Sequence, residues 1–311
     1  MYIGIDIGGT NLKAGLVDQE GRILASARTP LEFPSAEGFA KRLADLARDV
    51  MRQGGVTMQD IEYVGMGLPG AVSGGEVLYT ANIPMKNVPL EKLFRQELDL
   101  PVLLANDADC AAAGEYLCGA GKGSRGFIVL TLGTGIGGGI ILGGKLQTGM
   151  GCAGEVGHML IVRDGAPCNC GRRGCWEAYA SATGLIRLTQ EAMEAHPESL
   201  LHKLATLDSV EGKTAFQAAQ QGDPAALAVC RDYVSYLADG VINLVNVLQP
   251  EIIAIGGGVA AAPEELLLTP LQKLVREGCY SRHVGQYTRV IRATMGNDAG
   301  IVGAALIKRI L

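Results

Sequence analysis

Three cysteines and one histidine fall within eighteen positions of this chain, at His158, Cys168, Cys170 and Cys175, spaced H-x9-C-x-C-x4-C. One imidazole nitrogen and three thiolates are the ligand set of a closed structural zinc site. The flanking Gly171 and Gly174 let the backbone fold tightly around an ion. Two carboxylates, Glu155 and Glu177, are interleaved with these ligands. Neither is needed to complete a tetrahedron, so both remain as acceptors for something polar. Of the other cysteines, Cys110, Cys118, Cys230 and Cys279 sit among apolar neighbours and read as small core residues. Cys152 is Gly-flanked and badly offset from Glu155 and His158 to serve as a further ligand.

Glycine turns carry the next inference. Asp6-x-Gly8-Gly9-Thr10-Asn11 places an acid at a strand end before a turn without side-chain bulk. Such a turn presents backbone N–H groups and the Thr10 hydroxyl to an oxyanion. Asp6 could hold Mg²⁺ beside that anion, usually through water. Gly133-Thr134-Gly135, continuing to Gly137, offers a second phosphate-binding turn, and Gly256-Gly257-Gly258 a third flat backbone surface. Any one alone is better explained as hairpin glycine; the three together point to nucleotide phosphates. None fits G-x-x-x-x-G-K-[ST] or a strand–G-x-G-x-x-G–helix unit, so P-loop and Rossmann readings fail.

The elements that must position these groups follow one plan twice. Tyr2–Ile7 and Leu12–Val17 read as strands around the first glycine turn, with a third strand at 22–28. Ser35 caps a helix whose apolar face uses Phe39, Leu43, Leu46 and Val50, and Gly54-Gly55 ends it. Strands follow at 61–67 and 100–105, and Asp107 opens an Ala-rich helix. The second pass has strands at 127–132 and 140–142 around a turn spanning Gly133–Gly139, then helices at 178–195 and 225–248. Asp223 and Pro224 prime the latter. A strand at 252–255 and a closing helix at 300–310 complete it. Two similar α/β halves with a cleft between them is the simplest arrangement, and such clefts bind small ligands.

Composition agrees. The 311 residues are 48% hydrophobic and 19% charged, with net charge −5 and no basic run, which disfavours nucleic acid or an anionic membrane as partner. Forty-four glycines are about twice the usual share, and they cluster in turns rather than in a linker. The apolar stretch 126–144 is broken by glycines, Thr131 and Thr134, as two strands around a turn would be. With no signal peptide or spanning run in view and only eight cysteines, the chain is expected to be cytoplasmic, with reduced thiols.

Asp6-Ile7-Gly8-Gly9-Thr10, Leu132-Gly133-Thr134-Gly135-Ile136-Gly137-Gly138-Gly139, Gly154-Glu155-x-Gly157-His158 and Cys168-x-Cys170-Gly171-x-x-Gly174-Cys175-x-Glu177 together resemble the ROK family (repressors, open reading frames, sugar kinases). The order of motifs is far more specific than any single loop, and the resemblance runs from Tyr2 to the final helix. It is strongest to the bacterial ATP-dependent glucokinase branch. The resemblance implies an α/β fold of the actin/hexokinase (ribonuclease H-like) type, with duplicated domains and an inter-domain cleft. Residues 1–115 plus the helix at 298–311 would form a small domain, and 116–297 a large one carrying the zinc knot.

Carried over by position, Asp107 in Ala105-Asn106-Asp107-Ala108 resembles the catalytic base that takes the proton of the sugar C6 hydroxyl. From local sequence alone it would read as a helix N-cap. Asn106, Glu155, His158 and Glu177 resemble the partners of the sugar hydroxyls, as do Gly70, through its backbone, and Asn82. His158 would then hold zinc with one nitrogen and the sugar with the other. Many members carry Pro-Asn and a nearby tryptophan where this chain has Ala81-Asn82, and often lysine where it has Asn11. The first departure leaves the identity of the hexose open among glucose, fructose, allose, N-acetylmannosamine and N-acetylglucosamine. The resemblance implies ATP, Mg²⁺ and structural Zn²⁺ as cofactors, polyphosphate being the alternative donor, and a homodimer or homotetramer. Repressor members carry a helix-turn-helix ahead of the Asp-x-Gly-Gly motif, which here begins at residue 6 without a basic patch. A non-catalytic sugar sensor or actin-like nucleotide switch is the other class; a switch would need the phosphate turns but not the knot.

Overall fold

The computed structural model describes residues 1–80 and 82–311; Ala81, part of the sequence departure beside Asn82, lies outside them. Strands β1 (Tyr2–Ile7), β2 (Asn11–Val17) and β3 (Ile23–Pro30) pair antiparallel in succession, and α1 (Ala36–Gly54) follows. Next come β4 (Tyr63–Leu68), the short strands β5 (Ala71–Ser73), β6 (Glu76–Tyr79) and β7 (Lys86–Val88), α2 (Leu90–Glu97), β8 (Val102–Asn106) and α3 (Asp107–Cys118). The chain continues through β9 (Gly126–Leu132), β10 (Ile136–Leu142), β11 (Lys145–Leu146), α4 (Glu177–Ala180), α5 (Ala182–Ala195), α6 (Leu201–Leu204) and α7 (Thr214–Gln220). It closes with α8 (Pro224–Leu248), β12 (Ile252–Gly256), α9 (Leu268–Gly278), β13 (Arg289–Arg292) and α10 (Ala299–Leu306).

The duplication is visible in the sheets. One has the order β3-β2-β1-β4-β8 and the other β11-β10-β9-β12-β13: in each, a sequential run of three strands is extended by two later ones. In both, the added pair is parallel, β4 with β8 and β12 with β13. This is the α/β architecture anticipated from sequence. A third, three-stranded sheet, β5-β6-β7, was not. By contacts the chain divides into two compact units, the first made of Met1–Val129, Gly139–Gly154 and Thr294–Leu311, the second of Leu130–Gly138 and Glu155–Ala293.

In the first unit α1 forms where Ser35 accepts the Gly38 N–H, and it ends at Gly55, whose φ of 65° is left-handed. Its Phe39, Leu43, Leu46 and Val50 are buried against β1, β2 and β4 residues such as Ile3, Ile5, Leu12 and Met66, each contributing about 1.5–3 kcal/mol. Helix α10 seats on the same sheet where glycine leaves room for backbone. A Cβ on Gly4 would lie 1.9 Å from the Ile301 carbonyl oxygen, and one on Gly65 1.8 Å from that of Ala304. Against α3, a Cβ on Gly303 would meet the Cys110 oxygen at 1.6 Å. The Tyr63 hydroxyl donates to the Ala305 carbonyl at 2.5 Å.

Several boundaries differ from the sequence reading. The helix expected at 178–195 breaks at Ser181, whose hydroxyl accepts the Gly184 N–H and restarts the chain as α5. The closing helix ends at Leu306 and tightens into a 3₁₀ turn at Ile307–Arg309. The glycine turn after β9 is only Gly133–Gly135, and Gly137 lies beyond it, within β10. Glycine recurs in that strand because α3 lies close; a Cβ on Gly139 would sit 2.6 Å from the Ala108 oxygen. Cys110, Cys230 and Cys279 are buried as expected, but Cys118 is only half-buried, its sulfur 3.7 Å from the Glu20 carbonyl oxygen. Among the described residues no helix is long and apolar enough to cross a membrane.

Candidate active site

The second unit carries the cysteine knot. A short 3₁₀ turn, Val156–His158, presents the histidine, and the following chain pairs back on itself through bridges Leu160–Cys175 and Pro167–Arg173. Gly171 and Gly174 have φ of 87° and 79°, which few other residues adopt, and a Cβ on Gly174 would lie 1.7 Å from the Val162 oxygen. The result brings one ligand atom each from His158, Cys168, Cys170 and Cys175 within 4.8 Å of one another. A tetrahedral zinc with Zn–S bonds of about 2.3 Å needs sulfurs roughly 3.8 Å apart. The Cys170 and Cys175 sulfurs are 3.6 Å apart, as are the Cys168 sulfur and His158 Nδ1. The residues therefore fit the ion.

The donors' chemistry points the same way. Without a cation, burial pushes the Cys175 thiol up to about 12, aided by hydrogen bonds with the neighbouring sulfurs, and burial raises Cys168 as well. The Arg172 backbone N–H holds Cys170 below the ordinary thiol value. A bound divalent cation would offset the unfavourable ionisation of the Cys168 and Cys175 thiols. Directly after Cys175, Trp176 is fully buried, donates Nε1–H to the Tyr236 carbonyl at 2.8 Å and packs over Gly240 of α8, anchoring the knot. His158 turns Nδ1 to the sulfurs and Nε2 towards Glu155, whose Oε2 is 3.9 Å away.

The same unit holds the glycine turns. Gly133 N–H donates to the Gly135 oxygen at 3.0 Å, closing the hairpin turn. Ala182 N–H donates to the Gly133 oxygen and the Thr183 hydroxyl to the Thr134 oxygen, both at 2.8 Å. Glu177, first residue of α4, accepts the Ile136 N–H at 3.0 Å. After β12, Gly257 has a φ of 82°, and a Cβ there would come within 2.4–2.6 Å of Leu132 backbone atoms. Gly257 therefore runs flush against the end of β9, while Gly258 beside it is open bare backbone.

In the first unit Asp6 stands near the end of β1, opposite Lys13 in the ladder, with Nζ 3.6 Å from Oδ2. Burial raises its carboxyl above the ordinary value, and Lys13 offsets part of this. Gly300, in the first turn of α10, lies beneath it: a Cβ there would be 3.3 Å from the Asp6 carboxyl carbon. The turn beyond is closed by Gly8 N–H to the Asn11 oxygen at 3.0 Å, and leaves Gly9 and Thr10 exposed. Asn11 Nδ2 donates to the Thr10 hydroxyl at 3.0 Å.

The N-cap of α3 is Asn106 rather than Asp107. Asn106 Oδ1 accepts the N–H groups of Ala108 and Asp109, at 2.8 and 3.4 Å, and its Nδ2 donates to the Gly70 oxygen at 3.2 Å. Asn106 thus fastens Gly70, at a φ of 143°, to the helix start. Asp107 is exposed, with Oδ1 accepting the Ala108 N–H at 3.0 Å. Its carboxylate stands on the first residue of α3, at the positive end of the helix dipole. Asn82 is exposed.

The family model described as "ROK family" matches residues 2–309. The chain belongs to the ROK family. It is 38% identical to a glucokinase of Streptomyces coelicolor, over 99% of this chain and 98% of that one, and 39% identical to a glucokinase of Thermotoga maritima, over 98% and 96%. Among solved structures it is similar to a ROK family glucokinase from Streptomyces griseus in complex with glucose and AMPPNP, with TM-score 0.82, 40% identity and coverage of 98% and 97%. The ROK motifs read from sequence sit where the fold needs bare turns or clustered ligands. Sequence reasoning missed the grip of Glu177, Ala182 and Thr183 on the Gly133–Ile136 turn. The partners of the Glu177 contact lie 41 positions apart, so no local pattern announces it.

Proposed function

We propose that this protein transfers the γ-phosphoryl group of ATP to the C6 hydroxyl of glucose, giving glucose 6-phosphate and ADP. The observation that carries this reading is the full-length similarity to the Streptomyces griseus glucokinase that holds glucose and AMPPNP. Asp107 is the catalytic base. Its exposed carboxylate accepts the C6 hydroxyl proton as the oxygen attacks, and orients that hydroxyl beforehand.

Glu155, His158 and Glu177 bind sugar hydroxyls, with Asn106 and Asn82 contributing further contacts and Gly70 its backbone. His158, Cys168, Cys170 and Cys175 would hold a structural zinc, which would fix the imidazole and leave Nε2 to face the sugar. The turn Gly8–Asn11, through its exposed Gly9 and Thr10, the turn Gly133–Gly135 and the bare surface of Gly256–Gly258 receive the nucleotide. Asp6 would hold Mg²⁺, which supplies charge neutralisation to the phosphates. All substrates are small and water-borne, in keeping with work in the cytoplasm.

A coupled assay with Mg-ATP against glucose, mannose, fructose, allose, N-acetylmannosamine and N-acetylglucosamine tests the reading. The highest kcat/KM is expected for glucose. Asp107→Ala should cost about 10²–10⁴ in kcat while glucose binding persists; near wild-type turnover removes Asp107 from the role.

A further inference from the structure

We infer that Glu177 is a positioning residue that couples the sugar site to the nucleotide phosphate turn, so that each substrate tightens the other from within the second unit. The inference rests on the proposed roles of Glu177 and of Gly133–Gly135. One carboxylate serves both sides. Oε2 accepts the Ile136 N–H, the amide directly after the phosphate turn, at 3.0 Å. Oε1 faces the knot, 3.9 Å from the Cys168 sulfur. The two oxygens of a carboxylate move together, so a sugar hydroxyl that fixes Oε1 also fixes Oε2 against the turn.

The contact is backed by packing. Gly135 lies so close that a Cβ there would come within 2.1 Å of Glu177 Oε2. Gly157, between the sugar partners Glu155 and His158, presses on the other side of Ile136: a Cβ would be 2.5 Å from the Ile136 oxygen and 3.4 Å from the Glu177 Cβ. Ile136 is thus gripped at its N–H by Glu177 and at its carbonyl by the sugar-side loop. Five and six residues after Glu177, the start of α5 holds the same turn through Ala182 N–H and the Thr183 hydroxyl. The sugar-side residues and the phosphate turn are one packed piece with a contiguous route between them, and coupling between two ligands is reciprocal.

The test measures each substrate in the absence of the other. Gly135 has no left-handed φ, so Gly135→Ala leaves the backbone path open and displaces only the Glu177 carboxylate. Glucose affinity without nucleotide, read by calorimetry or from the lone tryptophan, Trp176, should weaken by about 5-fold or more. Glu177→Ala should weaken ADP without sugar to a similar degree. Glu177→Gln keeps an acceptor for Ile136 N–H and should restore ADP affinity while glucose binding stays weak. If Gly135→Ala binds glucose and Glu177→Ala binds ADP as the wild type does, the coupling is wrong and the kinase reading stands. If the wild type binds neither ligand, both fall. Should Glu177→Ala fail to fold, the Gly135→Ala result decides alone.

Discussion

Glu115→Gln offers a quantitative test of what holds the Asp107 helix in place. Glu115 is 1% exposed and accepts four hydrogen bonds: Ala120 N–H at 2.8 Å, Thr294 N–H at 2.8 Å, Met295 N–H at 2.6 Å and the Thr294 hydroxyl at 3.1 Å. It ties α3, which Asp107 begins, to the segment leading into α10. Glutamine has one oxygen for two of these sites. Facing that oxygen to Thr294 and Met295 turns its NH₂ onto the Ala120 N–H, while the Thr294 hydroxyl can rotate to accept. One buried N–H is then orphaned, costing about 1–3 kcal/mol, and two charge-assisted bonds become neutral at about 1 kcal/mol each. Removing a buried charge returns part of this, leaving a net loss of about 3 kcal/mol. At about 2–4 °C per kcal/mol, the melting temperature should fall by roughly 6–12 °C. Calorimetry reads the shift, and amide exchange should show lost protection at Ala120. A melting temperature within about 1 °C of wild type, with Ala120 still protected, would refute the assignment of Glu115 as the tie.

Replacing Cys168, Cys170 and Cys175 with serine should abolish bound zinc by elemental analysis and raise the KM for glucose, because His158 loses its anchor; unchanged metal content sinks the zinc assignment. Asp6→Asn tests the buried acid by its pH sign. The folded carboxyl has a raised pKa, so the native state holds its proton more tightly than the unfolded chain. Wild-type stability from this group therefore falls as pH rises above the ordinary 3.8. The asparagine variant should be the more stable form at neutral pH and lose that advantage below 3.8, with activity absent throughout. A variant less stable at pH 7 would overturn the assignment.

What could be read from sequence was what depends on near neighbours. The knot's four ligands lie within one short stretch, and Ser35, Gly55, Asp223 and Pro224 cap helices through contacts a few residues away. The glycine runs were legible as bare backbone but not as to purpose: Gly133 and Gly135 form a turn, while Gly139 makes room for α3. Strands β5, β6 and β7 have three or four residues, several of them exposed, so they show no alternation long enough to read. In the candidate site, residue types were legible and their bonds to one another were not. Asn106 looked like a sugar ligand, and its side chain also caps α3 and holds Gly70. Whether a polar side chain is committed inside the protein depends on residues brought near only by folding.

The glycine seat under α10 has a consequence for the order in which the molecule can be made. Gly4 and Gly65 receive the backbone of Ile301 and Ala304, and Tyr2, Val17 and Tyr63 share one apolar cluster with Ile301, Val302, Ala305 and Leu306. The strands that carry Asp6 emerge from the ribosome long before the helix that covers them. Until then their sheet keeps an uncovered furrow floored by glycine, with no side chains of its own to fill it. The second unit needs no segment beyond Ala293. On a growing chain, the unit begun later is therefore the one that can finish first.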